Sequence, residues 1–386
     1  MKEKRFDVIV YGATGFAGVL VARYLASESE SSLGSPTAVK WAIAARNATK
    51  LTQVKEKLKP KLPEVDPSLI DAIPVVVADS SNEESLVQMV QQTKVVVSLV
   101  GPYKLHGELL IKACAENGVH YCDISGETVW INEMMASYGS AAAKSGAVLV
   151  NFCGFGSVPS DLTTDVDDEA ATSFVQPFFL TDEKTIAEKK AAGLIEPNTT
   201  GILVRYDKTM RTWHSLFTAS VVDQAVVHRS NYLLQNKYGR NFVYHGRRAI
   251  GGLLMQALAT VGTLLGLTML YFSWTRALIK RLVQAPGQGP SEETMFQGYF
   301  VADAVGYSED GKSAARAKVV GSGGDPGYRL TSRLVAECAL CLAKDEFGES
   351  SHLEGGFYTP ASAFGHKLAD RLQKKKLITF ELKDAE

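Results

Sequence analysis

Residues 6–18 read "FDVIVYGATGFAG", and the rest of the chain is interpreted outward from them. A β-branched run, Phe6–Tyr11, enters a glycine-rich turn, and "VLVARYLASES" follows with apolar residues at helical spacing. That order is strand, turn, helix. Gly12 permits a tight turn, Gly15 lets backbone approach a diphosphate, and Gly18 lets the helix pack closely on the strand, with Thr14 and Phe16 in the same loop. A bound diphosphate would sit at the helix N-terminus, where free N–H groups and the dipole favour anions. A glycine turn that serves packing alone has the same letters, but this one carries the flanking elements a dinucleotide site requires.

Further strand and helix patterns alternate to residue 160. The second strand, "VKWAIAA", ends at Arg46 and Asn47, where an NAD-selective site more often places a carboxylate for the ribose hydroxyl. A guanidinium there suits a 2′-phosphate, so NADP is expected over NAD, although an ordinary surface arginine reads the same way. The third strand, "IPVVVADSS", ends at Asp79, which either reaches an adenine or caps the helix "NEESLVQMVQQ". The fourth, "KVVVSLVGPY", is a continuous apolar run of the kind buried on both faces of a parallel sheet, and it breaks at Gly101-Pro102-Tyr103 beside the expected cofactor. A strand "VHYCDISGE" and a sixth, "AVLVNFCGFGSVPSD", complete a doubly wound parallel sheet of Rossmann type.

Composition bounds the remainder. With 386 residues the chain exceeds the size at which one core stops growing, so the expected division is a dinucleotide-binding domain over 1–160, an α+β substrate domain over 161–330, and C-terminal helices over 331–386 that pack back on the first. A net charge of −1 provides no field to hold nucleic acid, which is therefore not an expected partner. Five cysteines are too few and odd for a disulfide framework, and "MKEKRFDVIVYGATG" enters a strand with no apolar signal region, so the protein is not expected to be secreted. Cys338 and Cys341 form C-x-x-C inside a helical pattern without a second ligand pair, and none of the histidines has metal-site spacing, so no metal is expected.

"GATGFAG", "SLVGPYKLHGELLIKACAENGVHYCDISGE" and "NFCGFGSVPSDL", with "GPSEETM", "GGDPGY" and "GGFYTPASAFG" further on, resemble the saccharopine dehydrogenase-like oxidoreductases. That group includes bacterial trans-acting enoyl reductases and animal lipid-droplet-associated homologues. The resemblance implies a Rossmann domain, an α/β second domain and a nicotinamide cofactor, and in the enoyl reductase branch a lipid-like substrate. Where relatives commonly read G-F-D-S-x-P-S-D, this chain has glycine at 156, so only Asp161 remains of that aspartate pair.

The same opening loop suits short-chain dehydrogenases that use a Tyr-x-x-x-Lys pair, but none of the fourteen tyrosines is followed four residues later by lysine. Hydride transfer remains, with Tyr103, His106, Asp123 and Glu127 as candidate proton-handling groups at strand ends; each is equally a cap, turn or salt-bridge residue.

One stretch stands apart: Ala249–Trp274, "AIGGLLMQALATVGTLLGLTMLYFSW", has no charged residue. As one helix its length would be about 39 Å, beyond the roughly 30 Å hydrocarbon layer. Four glycines, three threonines and Gln256 make insertion marginal, and basic residues flank both ends. A crossing would also put a membrane between parts of one enzyme. A segment that dips into one leaflet or caps an apolar pocket is expected instead, with a fully buried helix as the alternative. The expected partners are therefore a lipid-like small molecule, a membrane or lipid-droplet surface met on its cytosolic face through 249–274, and at most a second copy of the chain. A lipid-associated scaffold that keeps the fold without catalysis is the competing reading.

Overall fold

The computed structural model describes residues 4–28, 38–166, 180–193, 204–217, 220–272, 274–275, 289–308, 313–348 and 353–384. Six short strands form first: β1 (Phe6–Tyr11), β2 (Trp41–Ala45), β3 (Val75–Val77), β4 (Thr93–Ser98), β5 (His120–Asp123) and β6 (Val148–Val150). Between them run helices α1 (Phe16–Ser27), α2 (Ala48–Leu58), α3 (Glu83–Val90), α4 (Glu108–Asn117) and α5 (Thr128–Ser145). Every pairing is parallel, with Val8 opposite both Trp41 and Val95.

Alternation along β1 shows why the sheet is covered on both faces. Val8 and Val10 enter one apolar cluster, and Ile9 and Tyr11 enter the other. The inner strands therefore carry apolar runs such as Val8–Tyr11, Trp41–Ala45 and Val95–Val97, the pattern that identifies a buried parallel sheet.

After α6 (Val158–Val166) the simple alternation ends. β7 (Arg205–Asp207), β8 (Thr212–Leu216) and β9 (Arg247–Arg248) form a small antiparallel sheet, with α7 (Ser220–Leu233) between β8 and β9 in the chain. Helix α8 (Leu253–Tyr271) follows, then the hairpin β10 (Phe300–Tyr307) and β11 (Ala314–Gly321). Most of the turn expected at 308–312 lies outside the described residues. Helix α9 (Thr331–Ala343) leads to β12 (Gly356–Tyr358), α10 (Pro360–Lys374) and β13 (Ile378–Asp384), which pairs with β11.

Strands β12 and β13 were absent from the sequence reading, which expected helices alone over 331–386. β12 is only three residues long, yet it pairs in parallel with β6, so the sheet order is β12-β6-β5-β4-β1-β2-β3. Helix α9 packs against α1, β4 and β5. Cys338 and Cys341 are buried within it, and Glu337 beside them accepts from Tyr24 Oη at 2.6 Å and from Arg371 Nε and Nη2 at 2.9 and 2.7 Å. A fully buried carboxylate thus has three donors, which offsets its desolvation.

The apolar stretch is shorter than expected from its sequence. Gly251 adopts φ +58° and Gly252 is the N-cap, while Phe272 is extended, so the helix has 19 residues and a length of about 28 Å. Among the described residues no helix is long and apolar enough to cross a membrane.

Candidate functional site

The carboxyl edge of the sheet carries the glycine turn. Gly12 has φ +86°, and a Cβ there would meet Val100 Cγ2 at 2.8 Å and the Leu99 carbonyl carbon at 3.0 Å. Its N–H donates to Ala44 O at 2.9 Å, and Gly15 N–H donates back to Gly12 O at 2.9 Å, which closes the turn. A Cβ on Gly18 would lie 2.2 Å from Gly12 O, so the helix touches the strand end only because residue 18 has no side chain. Gly15 is the N-cap of α1 and no side chain caps it, leaving the first helical N–H groups directed at the space beyond the turn. A cradle that side chains would fill, with uncapped donors, fits a diphosphate. Thr14 stands half-buried at the tip, and the Phe16 ring packs edge-on against Tyr328 at 5.1 Å.

Arg46 is exposed at the end of β2. Asp79 accepts from the N–H and hydroxyl of Ser81 at 2.9 and 2.8 Å, and these bonds hold its carboxyl below the usual range, with smaller help from Arg46 and His106. Asp79 does not cap α3. Asn82 does, accepting from Ser85 N–H at 3.0 Å, because it stands one residue before the helix. Burial pushes the Tyr11 hydroxyl up to about 12, with Ser80, Asp79 and Arg46 as its polar neighbours.

Of the four proton-handling candidates, three make hydrogen bonds to the surrounding frame. Tyr103 is buried and stacks on Trp130 at 5.8 Å; its hydroxyl donates to Ser98 O at 2.9 Å and accepts from Ile124 N–H at 3.3 Å. Burial raises its pKa well above the ordinary value. Glu127 accepts from the N–H groups of Tyr103 and Lys104 at 2.7 and 2.9 Å, so both its oxygens tie down the turn after Gly101-Pro102, two exposed residues. Asp123 is fully buried and accepts from Tyr121 Oη, Ser125 N–H and Oγ, Asn151 Nδ2 and Phe152 N–H at 2.8–3.2 Å. Burial raises its pKa against the opposing effect of those donors. His106 alone of the four is exposed, with no hydrogen bond from its side chain among the described residues.

A polar cluster beyond β6 and β12 was missed. Asp161 is buried and accepts from Ser230 Oγ and, at 2.8 Å, from Ala361 N–H, while Ser230 Oγ lies 2.6 Å from Thr359 Oγ1. The "GSVPSD" and "TPASAFG" turns meet at this carboxylate. Asp223 on α7 is 5% exposed; one oxygen accepts from Ser160 Oγ at 3.2 Å and the other has no partner among the described residues. The signal available was an aspartate inside the otherwise apolar run "SVVDQAVV". Around Gly156 the space an aspartate would fill is open, with nothing within 4 Å of an added Cβ.

A parallel sheet ordered around a switch point between β1 and β4, with an uncapped glycine cradle at its carboxyl edge, defines a dinucleotide-binding protein of Rossmann type. Residues 8–150 match the family model of the saccharopine dehydrogenase NADP binding domain. The protein is an NADP-binding oxidoreductase, similar over these residues to the saccharopine dehydrogenases. A trans-acting enoyl reductase of Mycobacterium tuberculosis is 28% identical over 427 residues, covering 96% of each chain. A lipid droplet localized protein of Caenorhabditis elegans is 29% identical over 445 residues, covering 98% of each. The apo saccharopine dehydrogenase (L-Glu forming) of Saccharomyces cerevisiae superposes with a TM-score of 0.46 at 10% identity over 98% of this chain and 100% of that one, too distant to bear on this chain's chemistry.

Proposed function

We propose that the protein is an NADP-dependent reductase of a hydrophobic, lipid-like substrate bearing a carbonyl or a carbon–carbon double bond, and that it works on the cytosolic face of a membrane or lipid droplet. The nicotinamide supplies the hydride when bound. The backbone donors of Gly12–Gly18 hold the diphosphate, Arg46 pairs with the 2′-phosphate, and Asp79 and Gly101-Pro102 border the same edge. Three of the four candidate acid–base groups serve the frame, which leaves His106 as the one with an open side chain. Asp123 and Glu127 contribute rigidity: they fix the loops after β4 and β6 in which a substrate would be oriented.

The observation that carries the surface reading is helix α8. Its buried Gln256 accepts from Ser215 Oγ at 2.9 Å and donates to Trp213 O and Arg248 O at 2.9 and 3.0 Å, rooting the helix on β8 and β9. Outward it presents Leu253, Leu254, Met255, Leu258, Val261, Leu265 and Met269, all between 46 and 72% exposed. A contiguous apolar face of this kind is rare on a monomer in water. Seating these side chains in hydrocarbon returns on the order of 1 kcal/mol each, ample for reversible attachment without spanning. The names of the two relatives, an enoyl reductase and a lipid droplet protein, point the same way.

Flotation with phosphatidylcholine-coated oil droplets tests it. The intact protein should float, and a Leu254→Gln, Leu258→Gln, Leu265→Gln variant should stay in solution while still binding NADPH. A wild-type protein that remains in the soluble fraction overturns the surface reading. The open space at Gly156, with Tyr103, Asp123 and Glu127 all committed to structure, favours as second reading a lipid-associated scaffold without turnover.

A further inference from the structure

Two of the motifs shared with relatives, "GPSEETM" and "GGDPGY", meet at the start of α1, where Tyr328 packs on Phe16 and Gly289 lies against the same ring. The residues that directly follow them, Phe296 and Arg329, wall a cavity of about 160 Å³ together with Leu20, Arg23 and Tyr24 of α1. Four cations from three separate regions line it: Arg23 from α1, Lys61, and Arg329 with Arg333 from the segment entering α9. Tyr24 and Phe296 supply aromatic walls.

The cations are held in place with donors to spare. Gly323 O accepts from Arg329 Nε at 3.1 Å and from Arg333 Nη1 at 2.9 Å, so one carbonyl draws two like charges together. The Arg329 guanidinium lies 3.7 Å over the Phe296 ring, and Arg333 stands over Tyr24 at 5.6 Å. Gly324, at φ +118°, leaves room for the Arg329 stem, since a Cβ there would meet Arg329 Cδ at 2.2 Å. Glu292 bridges Lys61 and, at 3.3 Å, Arg23. Both Nη atoms of Arg329, and Nε and Nη2 of Arg333, have no hydrogen-bond partner among the described residues. Burial and mutual repulsion lower the pKa of Arg329 to about 10. Glu64 is the carboxylate on the lining and Glu292 lies beside it, leaving four cations against two carboxylates. Converging, partly desolvated guanidiniums with free paired N–H groups match a phosphate in geometry and charge.

We propose that this cavity is a second anion site, distinct from the dinucleotide cradle, which takes a phosphate monoester, and that its occupation strengthens cofactor binding. The physical link is short. Tyr328 adjoins Arg329, and its ring packs on Phe16, the first residue of α1 after Gly15. An anion that clamps Arg329 and Arg23 fixes the 325–333 segment against α1 in the position from which Tyr328 supports Phe16, and by reciprocity the cofactor favours the anion by the same factor. The coupling rests on the reading of Gly12–Gly18 as the cofactor cradle; the anion site does not.

The test uses the full chain at constant ionic strength in chloride. Calorimetry with glycerol 3-phosphate should give saturable binding, weakened roughly 10- to 100-fold by Arg333→Gln, the range expected for loss of charge-assisted bonds. Lys61→Gln, on a more exposed side chain, should weaken it in the same direction and guards against a folding defect in the first variant. Absence of saturable binding at millimolar ligand, or undiminished binding in both folded variants, overturns the site. Vesicles with and without phosphatidate identify the source: retention by phosphatidate that is lost in Arg333→Gln indicates a lipid headgroup, and binding of the soluble ester alone indicates a free metabolite. Saturating ester should lower the NADPH Kd several-fold in wild type only; an unchanged Kd with the ester bound refutes the coupling and leaves the cradle intact.

Discussion

Replacing Asp223 by asparagine should change how the protein's stability depends on pH. Asp223 is buried, one oxygen accepts from Ser160 and the other has no partner among the described residues, and burial, aided by neighbouring Asp161, pushes its pKa up to about 8 against the effect of Ser160. In the unfolded chain an aspartate titrates near 4. Between about pH 4 and 8 the folded protein keeps a proton that the unfolded chain releases, so this residue's contribution is complete below pH 4 and is lost as pH rises to 8. The slope is about 1.4 kcal/mol per pH unit, giving roughly 5 kcal/mol across the window. His228 and His245, whose pKa values burial depresses to about 3, act with the opposite sign below about pH 6.5. Both histidines remain in the variant, so the difference between the two proteins isolates Asp223. Urea unfolding of wild type and Asp223→Asn at steps from pH 4.5 to 8.5 measures it. The variant should gain on the wild type steadily up to pH 8 and then level off. A difference that does not change with pH refutes the assignment.

Three further substitutions probe the rest of the account. Gly18→Val places atoms against Gly12 O and should cost about 1–3 kcal/mol of stability and abolish NADPH binding, read by thermal melting and by cofactor fluorescence. Arg46→Asp should reverse the preference between NADPH and NADH, weakening NADPH by roughly 10- to 100-fold in equilibrium titration. Gln256→Leu strands the carbonyls of Trp213 and Arg248 and the hydroxyl of Ser215; it should destabilise the protein by about 2–4 kcal/mol and raise hydrogen exchange in α8 above that in α1.

The parallel sheet was legible because its strands are buried on both faces, which forces continuous apolar runs and brackets each with a helix of distinct period. β12 was not, since three residues carry no periodicity and the strand is defined by its partner β6. At the site, Gly12, Gly15 and Gly18 were readable because each marks a backbone conformation or contact that a side chain forbids. The acid–base candidates carry no such mark, because a residue at a strand end is equally placed for chemistry and for satisfying the backbone groups left there. Tyr103, Asp123 and Glu127 do the latter, through donors and acceptors up to 29 residues away in sequence. Asp161 and Ala361 lie 200 residues apart, beyond the reach of any local pattern.

The apolar stretch Ala249–Trp274 shows the same limit. Its composition announced contact with lipid or core, but its helical length was set by Gly251 and Phe272, and its one buried polar anchor, Gln256, looked from sequence only like a weakness.

The central claim is that the Gly12–Gly18 cradle binds NADP for hydride transfer. Titration calorimetry of the full chain with NADPH, beside NADH and the Gly18→Val variant, tests it most directly. The account predicts saturable binding of one NADPH per chain, tighter than NADH and lost in the variant. No binding at millimolar NADPH by the folded protein would contradict it.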